Sequence, residues 1–192
     1  MSFLIQTSDL SPQVTRRSFL GKSSLLLSGA AVALLAGQDA LAAQDQTAGS
    51  NDVSILNSAL GAELEAIAAY QLGAESGLLQ KPVLQLALTF QGHHKEHADI
   101  LAKTIGKLGG HAVHAKEKYV FPVEKLKTQT DVLRFAATLE KGAVSAYLGA
   151  VPLFGNRDLA KAAASILGDE AMHWAILRNA LGEIPVPTAF MS

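Results

Sequence analysis

Residues 157–181 read RDLAKAAASILGDEAMHWAILRNAL, and alternating steps of three and four pick out Leu159, Ala163, Ile166, Glu170, His173 and Leu177. That spacing keeps side chains on one face of an α-helix. The face is apolar at both ends and carries a carboxylate and an imidazole in its middle, three residues apart. A buried stripe broken by Glu-x-x-His needs partners for both groups, because an unpaired charge in an apolar interior is costly.

Three earlier segments repeat the pattern. Helix 1, from Val53 to Ser76 with Asn51 or Asp52 as N-cap, presents Leu56, Leu60, Glu63, Ile67, Tyr70 and Ala74. Helix 2 runs from Pro82, well placed in a first turn, to Leu108 before Gly109-Gly110. It presents Val83, Ala87, Phe90, His94, His97, Leu101, Thr104 and Leu108. Helix 3 starts after Thr130 and is kinked or closed by Pro152, which removes a backbone donor; it presents Leu133, Ala136, Glu140, Ala143 and Tyr147. Helix 4 spans Arg157 to Leu181 and stops at Gly182. Ala and Leu dominate throughout, and Gly and Pro sit mostly at segment ends, so strands are poorly supported.

The connections between helices are unequal. Helices 1 and 2 are joined by about five residues and helices 3 and 4 by about two, which makes two antiparallel hairpins. The middle connection, from Gly109 to Gln129, is different. At ~3.3 Å per residue it reaches about 66 Å, more than the ~40 Å of a 27-residue helix. It can therefore cross the whole bundle, giving an all-α four-helix bundle with one long crossover between helices 2 and 3; a flexible surface loop is the other reading.

Glu63, His94, His97, Glu140, Glu170 and His173 each lie about ten to sixteen residues into their helix, a level where all four helices can meet whatever their direction. Any one of them alone is ordinary: His97 reads equally as a hydrogen-bonded core histidine, and Glu63 as the edge of its stripe. Together, three buried carboxylates call for a shared positive partner, and no Lys or Arg lies on the stripes. One or two divalent cations meet that need, and Glu oxygens with His nitrogens suit iron, manganese or zinc.

Ahead of the bundle, residues 15–22 read TRRSFLGK, followed by SSLLLSGAAVALLAG from Ser23 to Gly37 and by Ala40-Leu41-Ala42 before Ala43. This is the layout of a signal peptide, and Arg16-Arg17 with Phe19 and Leu20 resemble the twin-arginine export signal, which feeds a translocase for folded proteins. The apolar run has 15 residues, short of the ~20 of a membrane span, so cleavage near Ala42/Ala43 and no stable span afterwards are expected. Residues 1–42 are then a signal, 43–50 a linker and 51–192 one domain, in a periplasmic or otherwise extracytoplasmic place.

Composition narrows the remaining classes. The chain of 192 residues has 16 Lys plus Arg against 17 Asp plus Glu, with 17% charged residues. That disfavours disorder and nucleic-acid binding. With no cysteine, thiolate metal sites, iron–sulfur clusters and disulfides are excluded.

The segments NSALGAE, HHKEHADIL, LEKGAVSAY and DEAMHWAILR resemble those of exported bacterial ferritin-like domain proteins, within the di-iron carboxylate superfamily. The resemblance covers Asn51 to about Gly182. It implies a Glu from helix 1 (Glu63), a Glu from helix 3 (Glu140), and a Glu-x-x-His from each of helices 2 and 4. Helix 4 fits with Glu170 and His173. Helix 2 departs: its histidine is His97, but His94 stands where the family pattern has Glu. Three negative ligands then remain instead of four, which stabilises two ferric ions less well. The resemblance implies iron, with Fe(II)/oxygen or peroxide oxidoreductase chemistry, while His94 leaves zinc or manganese, or a single-metal site, open. A non-catalytic storage or stress module and a metal-free structural bundle are the rival readings.

Among the neighbours, Glu65 reads as solvated, Glu96 and Asp99 as the wet face, and His93 as a partner for His97. His111 and His114 read as surface residues of the crossover, with a second metal contact as the alternative, and Tyr70 and Tyr147 chiefly as packing, with hydrogen bonds to the ligands or redox chemistry as the alternative. The C-terminal IPVPTAFMS is apolar enough to cover the bundle or a second copy of the chain, which allows a homo-oligomer.

Overall fold

The computed structural model describes residues 48–191, so the expected export signal and its cleavage point lie outside the described residues. Four helices make the fold: α1 Ala48–Glu75, α2 Lys81–Lys107, α3 Gln129–Ala150 and α4 Arg157–Ala180. Among the described residues there are no strands.

Local chemistry sets the ends. Pro82 lies in the first turn of α2, where its missing N–H costs nothing. Thr128 and Asp131 form a reciprocal capping box at the start of α3, each side chain taking the other's backbone N–H, so the helix begins before the expected Thr130. Asn156 caps α4 by accepting from the N–H groups of Asp158 and Leu159. Gly109 and Gly182 adopt positive φ and close α2 and α4 with paired backbone bonds back to the last turn, Gly109 to Gly106 with Gly110 to Ile105, and Gly182 to Asn179 with Glu183 to Arg178. Gly110 is held to glycine by packing and not by its φ: a Cβ there would stand 2.6 Å from Val53 Cγ1. Pro152 closes α3 as a short 3-10 turn, Val151–Leu153, so residues 151–156 separate α3 from α4 where about two were expected.

Asp52 departs from its expected role. Because α1 begins at Ala48, Asp52 lies inside the helix, 3% exposed, and its carboxylate accepts from Gly155 N at 2.8 Å and Asn156 N at 3.0 Å. It thus fastens the turn that leads into α4. Across the bundle, Glu63 meets Tyr147 while Tyr70 meets Glu140, so α1 and α3 are antiparallel. His97 meets Asp169 while His93 meets His173, so α2 and α4 are antiparallel as well. With α1 and α2 an antiparallel hairpin, α2 and α3 point the same way, and residues 108–128 must run the length of the bundle. The crossover is held at its start by Asn57, which donates to His111 O and accepts from Val113 N.

Two apolar clusters fill the two ends. One gathers Leu56, Leu60, Leu101, Ile105 and Ile166; the other gathers Phe90, Leu133, Trp174 and Leu177. On α2 the inward face drifts from the expected stripe: Ala98 and Ile105 are buried, whereas Leu108 is exposed, because steps averaging 3.5 fall behind a helix of 3.6 residues per turn. In the C-terminal segment Met191 packs on the Trp174 end, while Ile184, Val186 and Phe190 remain exposed. No described helix is long and apolar enough to cross a membrane.

Candidate metal centre

Between the two apolar clusters lies one polar layer, and all six donors expected from the sequence are in it. Glu63, His94, Glu140, Glu170 and His173 are each 2% exposed or less, and His97 is half-buried at the edge of the layer. They fall into two overlapping sets: Glu63, His94, His97 and Glu170 in one, and His94, Glu140, Glu170 and His173 in the other. Within each set one donor atom per residue lies within 4.8 Å of the others. Glu170 and His94 belong to both. His94 turns Nδ1 towards Glu63 Oε2 at 2.8 Å and Nε2 towards Glu140 Oε1 at 3.2 Å, so its ring spans the two halves.

Five buried donor atoms have no aligned hydrogen-bond partner: His97 Nδ1, Glu140 Oε2, both oxygens of Glu170 and His173 Nδ1. Such orphans are costly unless something else satisfies them. They lie close together, His97 Nδ1 3.1 Å from Glu170 Oε1 and His173 Nδ1 3.4 Å from Glu170 Oε2. Donors bound at about 2.0–2.2 Å to one cation lie about 2.9–3.5 Å apart, so this spacing fits a shared metal.

The outer carboxylate oxygens are held by tyrosines from the opposite helix. Tyr147 of α3 donates to Glu63 Oε1 at 2.6 Å, and Tyr70 of α1 donates to Glu140 Oε1. Burial, and then the neighbouring Glu140 and Glu63 carboxylates, push the Tyr70 and Tyr147 phenols well above their ordinary range, so both remain donors. The role expected for these residues, chiefly packing, is thus extended: each fixes one carboxylate as well.

Charge balance within the layer also differs from the simplest expectation. Burial alone would lower the imidazoles, but Glu140 and Glu63 override it and push His94 up to about 11. Glu170 and Glu63 raise His97 to about 9, and Glu140 and Glu170 raise His173 to about 9, each against the same cost of burial. Glu140 is drawn down, against its own burial, by His173 and His94. The neighbouring carboxylates thus favour the protonated form of His94, His97 and His173 in the metal-free chain, and a cation must displace those protons to bind.

Three further residues need relocating. His93 meets His173 Nε2 at 2.8 Å and Asp169 Oδ2 at 3.2 Å, on the α4 side, and not His97. Asp169 itself was absent from the expected set; its signal was its position four residues before His173. Glu65, read as solvated, is half-buried, while His111 and His114 are exposed and apart from the layer.

Four antiparallel-paired helices with one crossover, and Glu and His donors converging at mid-height, define a ferritin-like bundle with a candidate metal centre. The chain belongs to the ferritin-like domain family, which matches residues 51–183. Among solved structures it is similar to a conserved hypothetical protein, rv2844, from Mycobacterium tuberculosis, with 24% identity and a TM-score of 0.65 over 75% of this chain and 99% of that one. That likeness concerns the fold. No curated protein matches the chain.

Proposed function

We propose that the protein is an extracytoplasmic metalloprotein that binds one or two transition-metal ions, iron first, in the middle of the bundle. The observation that carries this reading is the group of five orphaned buried donor atoms on Glu140, Glu170, His97 and His173. Glu63 and His97 would hold one ion and Glu140 and His173 the other, with Glu170 and His94 between them. When bound, iron would supply electron transfer to oxygen or peroxide. Tyr147 and Tyr70 keep Glu63 and Glu140 turned inward, and the apolar clusters close the layer at its two ends. Arg16-Arg17 supports export by the twin-arginine translocase, which would allow the protein to fold and load its metal before translocation.

Metal analysis of protein purified from the exporting cell, followed by oxygen consumption with added Fe(II), tests the reading. About two irons per chain and turnover above buffer are expected; an absence of bound metal, with failure to reload, would sink it. Mass spectrometry of the exported protein's N-terminus checks the export proposal, and an intact Met1 counts against it.

His94 favours a second reading. A nitrogen donor where a carboxylate is usual shifts the set towards zinc or manganese held without redox turnover. Tight zinc or manganese binding with no oxygen consumption selects it.

A further inference from the structure

His93 and Asp169 belong to neither inner set, yet they stand against both. His93 Nδ1 lies 2.8 Å from His173 Nε2 and 3.2 Å from Asp169 Oδ2, and His173 Nε2 lies 3.2 Å from Asp169 Oδ2. The three atoms form a triangle with edges of the length found between adjacent donors on a single cation. Two imidazoles and one carboxylate on one face, with the remaining positions open, suit ferrous, manganous, cobaltous or zinc ions.

Exposure singles out the same edge. The side chain of His93 is 40% exposed, that of Asp169 24% and that of His97 14%, whereas the other five donors are at 3% or less. The polar layer therefore meets water along the α2–α4 seam, and the triangle lies across that opening.

We propose that His93, Asp169 and the Nε2 atom of His173 form a solvent-facing cation site through which divalent transition metals are loaded into the inner pair. This rests on the inner sets being a metal centre and adds His93 and Asp169 to it. His173 connects the two levels, since its Nδ1 faces Glu140 Oε2 at 3.6 Å and Glu170 Oε2 at 3.4 Å. A neutral imidazole has one lone pair, so His173 serves one level at a time. The outer site is thus a staging position. Asp169 Oδ2 also lies 3.4 Å from His97 Nε2, which brings the other inner set within reach.

Stopped-flow uptake of Co(II), followed by its visible absorption, separates the possibilities when the metal-free full chain is compared with His93→Ala. His93 is half-exposed and outside the inner sets, so the variant should fold, which circular dichroism checks. Uptake should slow by about tenfold or more with the final stoichiometry unchanged. A Glu63→Gln, Glu140→Gln chain should keep one weakly held Co(II), lost when His93→Ala is added. An unchanged uptake rate in His93→Ala overturns the proposal. Asp169→Asn should slow uptake as well; slowing there that His93→Ala does not share overturns the proposal, because Asp169 would then only orient His97 and His173. One Co(II) per wild-type chain that His93→Ala abolishes overturns the inner pair and leaves the outer site standing; no uptake at all by wild type overturns both.

Discussion

Tyr147 on α3 donates its hydroxyl to Glu63 Oε1 on α1 at 2.6 Å, and each of the two residues is buried. The bond has a mirror image in Tyr70 and Glu140, seven residues after Glu63 on α1 and seven before Tyr147 on α3, donated in the opposite sense. Each helix thus supplies one carboxylate and the hydroxyl that steadies its partner's. This reciprocity fixes the antiparallel register of α1 against α3 at the height of the metal centre.

Tyr147→Phe should leave Glu63 Oε1 buried without a donor. A hydrogen bond to a charged group contributes about 1.5–3 kcal/mol, so urea unfolding of the metal-free protein should show a loss of that order. Metal affinity should fall about 10–100-fold, as for other groups that orient a ligand. An unchanged affinity would mean that Glu63 is held by something else.

Glu140→Leu separates a metal centre from a purely structural layer. As a ligand, its removal should abolish or halve the bound metal, and the metal-free protein should lose about 3–5 kcal/mol because His94 and His173 lose their shared counter-charge. In a structural layer the metal-free chain would carry the same cost, since His94 and His173 still lose that partner, but metal content would be unaltered. Metal analysis beside urea unfolding reads both.

Alkaline pH should destabilise the metal-free protein. His94, raised from 6.5 to about 11, and His97 and His173, raised to about 9, contribute stability that is full below about 6.5. That stability is lost as pH rises through about 9 and then about 11. Glu140, drawn below the usual carboxylate range, contributes at neutral pH and loses its share only as pH falls well under that range. Thermal melts in chelator between pH 6 and pH 10 should therefore show Tm falling on the alkaline side. Metal binding should follow the opposite trend, tightening as pH rises, because bound protons must leave.

His94→Glu completes a Glu-x-x-His on α2 to match Glu170 and His173 on α4. A fourth carboxylate should favour two ferric ions, so iron retention after oxidation should rise and zinc preference should fall. Competition between Fe(II) and Zn(II) under oxygen measures it; no change in preference would show that His94 does not set metal choice.

Asp52→Ala removes the carboxylate that holds Gly155 N and Asn156 N. Two backbone N–H groups lose a charged acceptor, and the expected cost is about 1–3 kcal/mol in urea unfolding. Metal stoichiometry should be unaffected, since the turn lies at the far end of α4 from His173.

Much of this architecture is legible residue by residue. The six donors stand out because a helical stripe of Leu, Ile and Ala makes a Glu or His on it anomalous. Asp169 is hidden by the same test: it sits one position from Glu170, about 100° around the helix, where polar residues are expected. The capping box of Thr128 and Asp131 is written in the chain, yet α3 was expected to start after Thr130, since boundaries are less distinct than periods. Asp52 looked like a cap, and it is one, but for the turn before α4 about a hundred residues away.

Helical phase, helix number, the long middle connection and the chemistry of the donor set follow from the sequence alone, because each depends on spacing along one helix or on chain length. Other features required the tertiary structure: which His94 nitrogen faces which carboxylate, that Tyr70 and Tyr147 cross over to the opposite helix, and that His93 and Asp169 line an edge where, among the described residues, the layer meets water. Those relations depend on how one helix is set lengthwise and rotated against the next. Packing of whole faces determines that setting, and no local period records it.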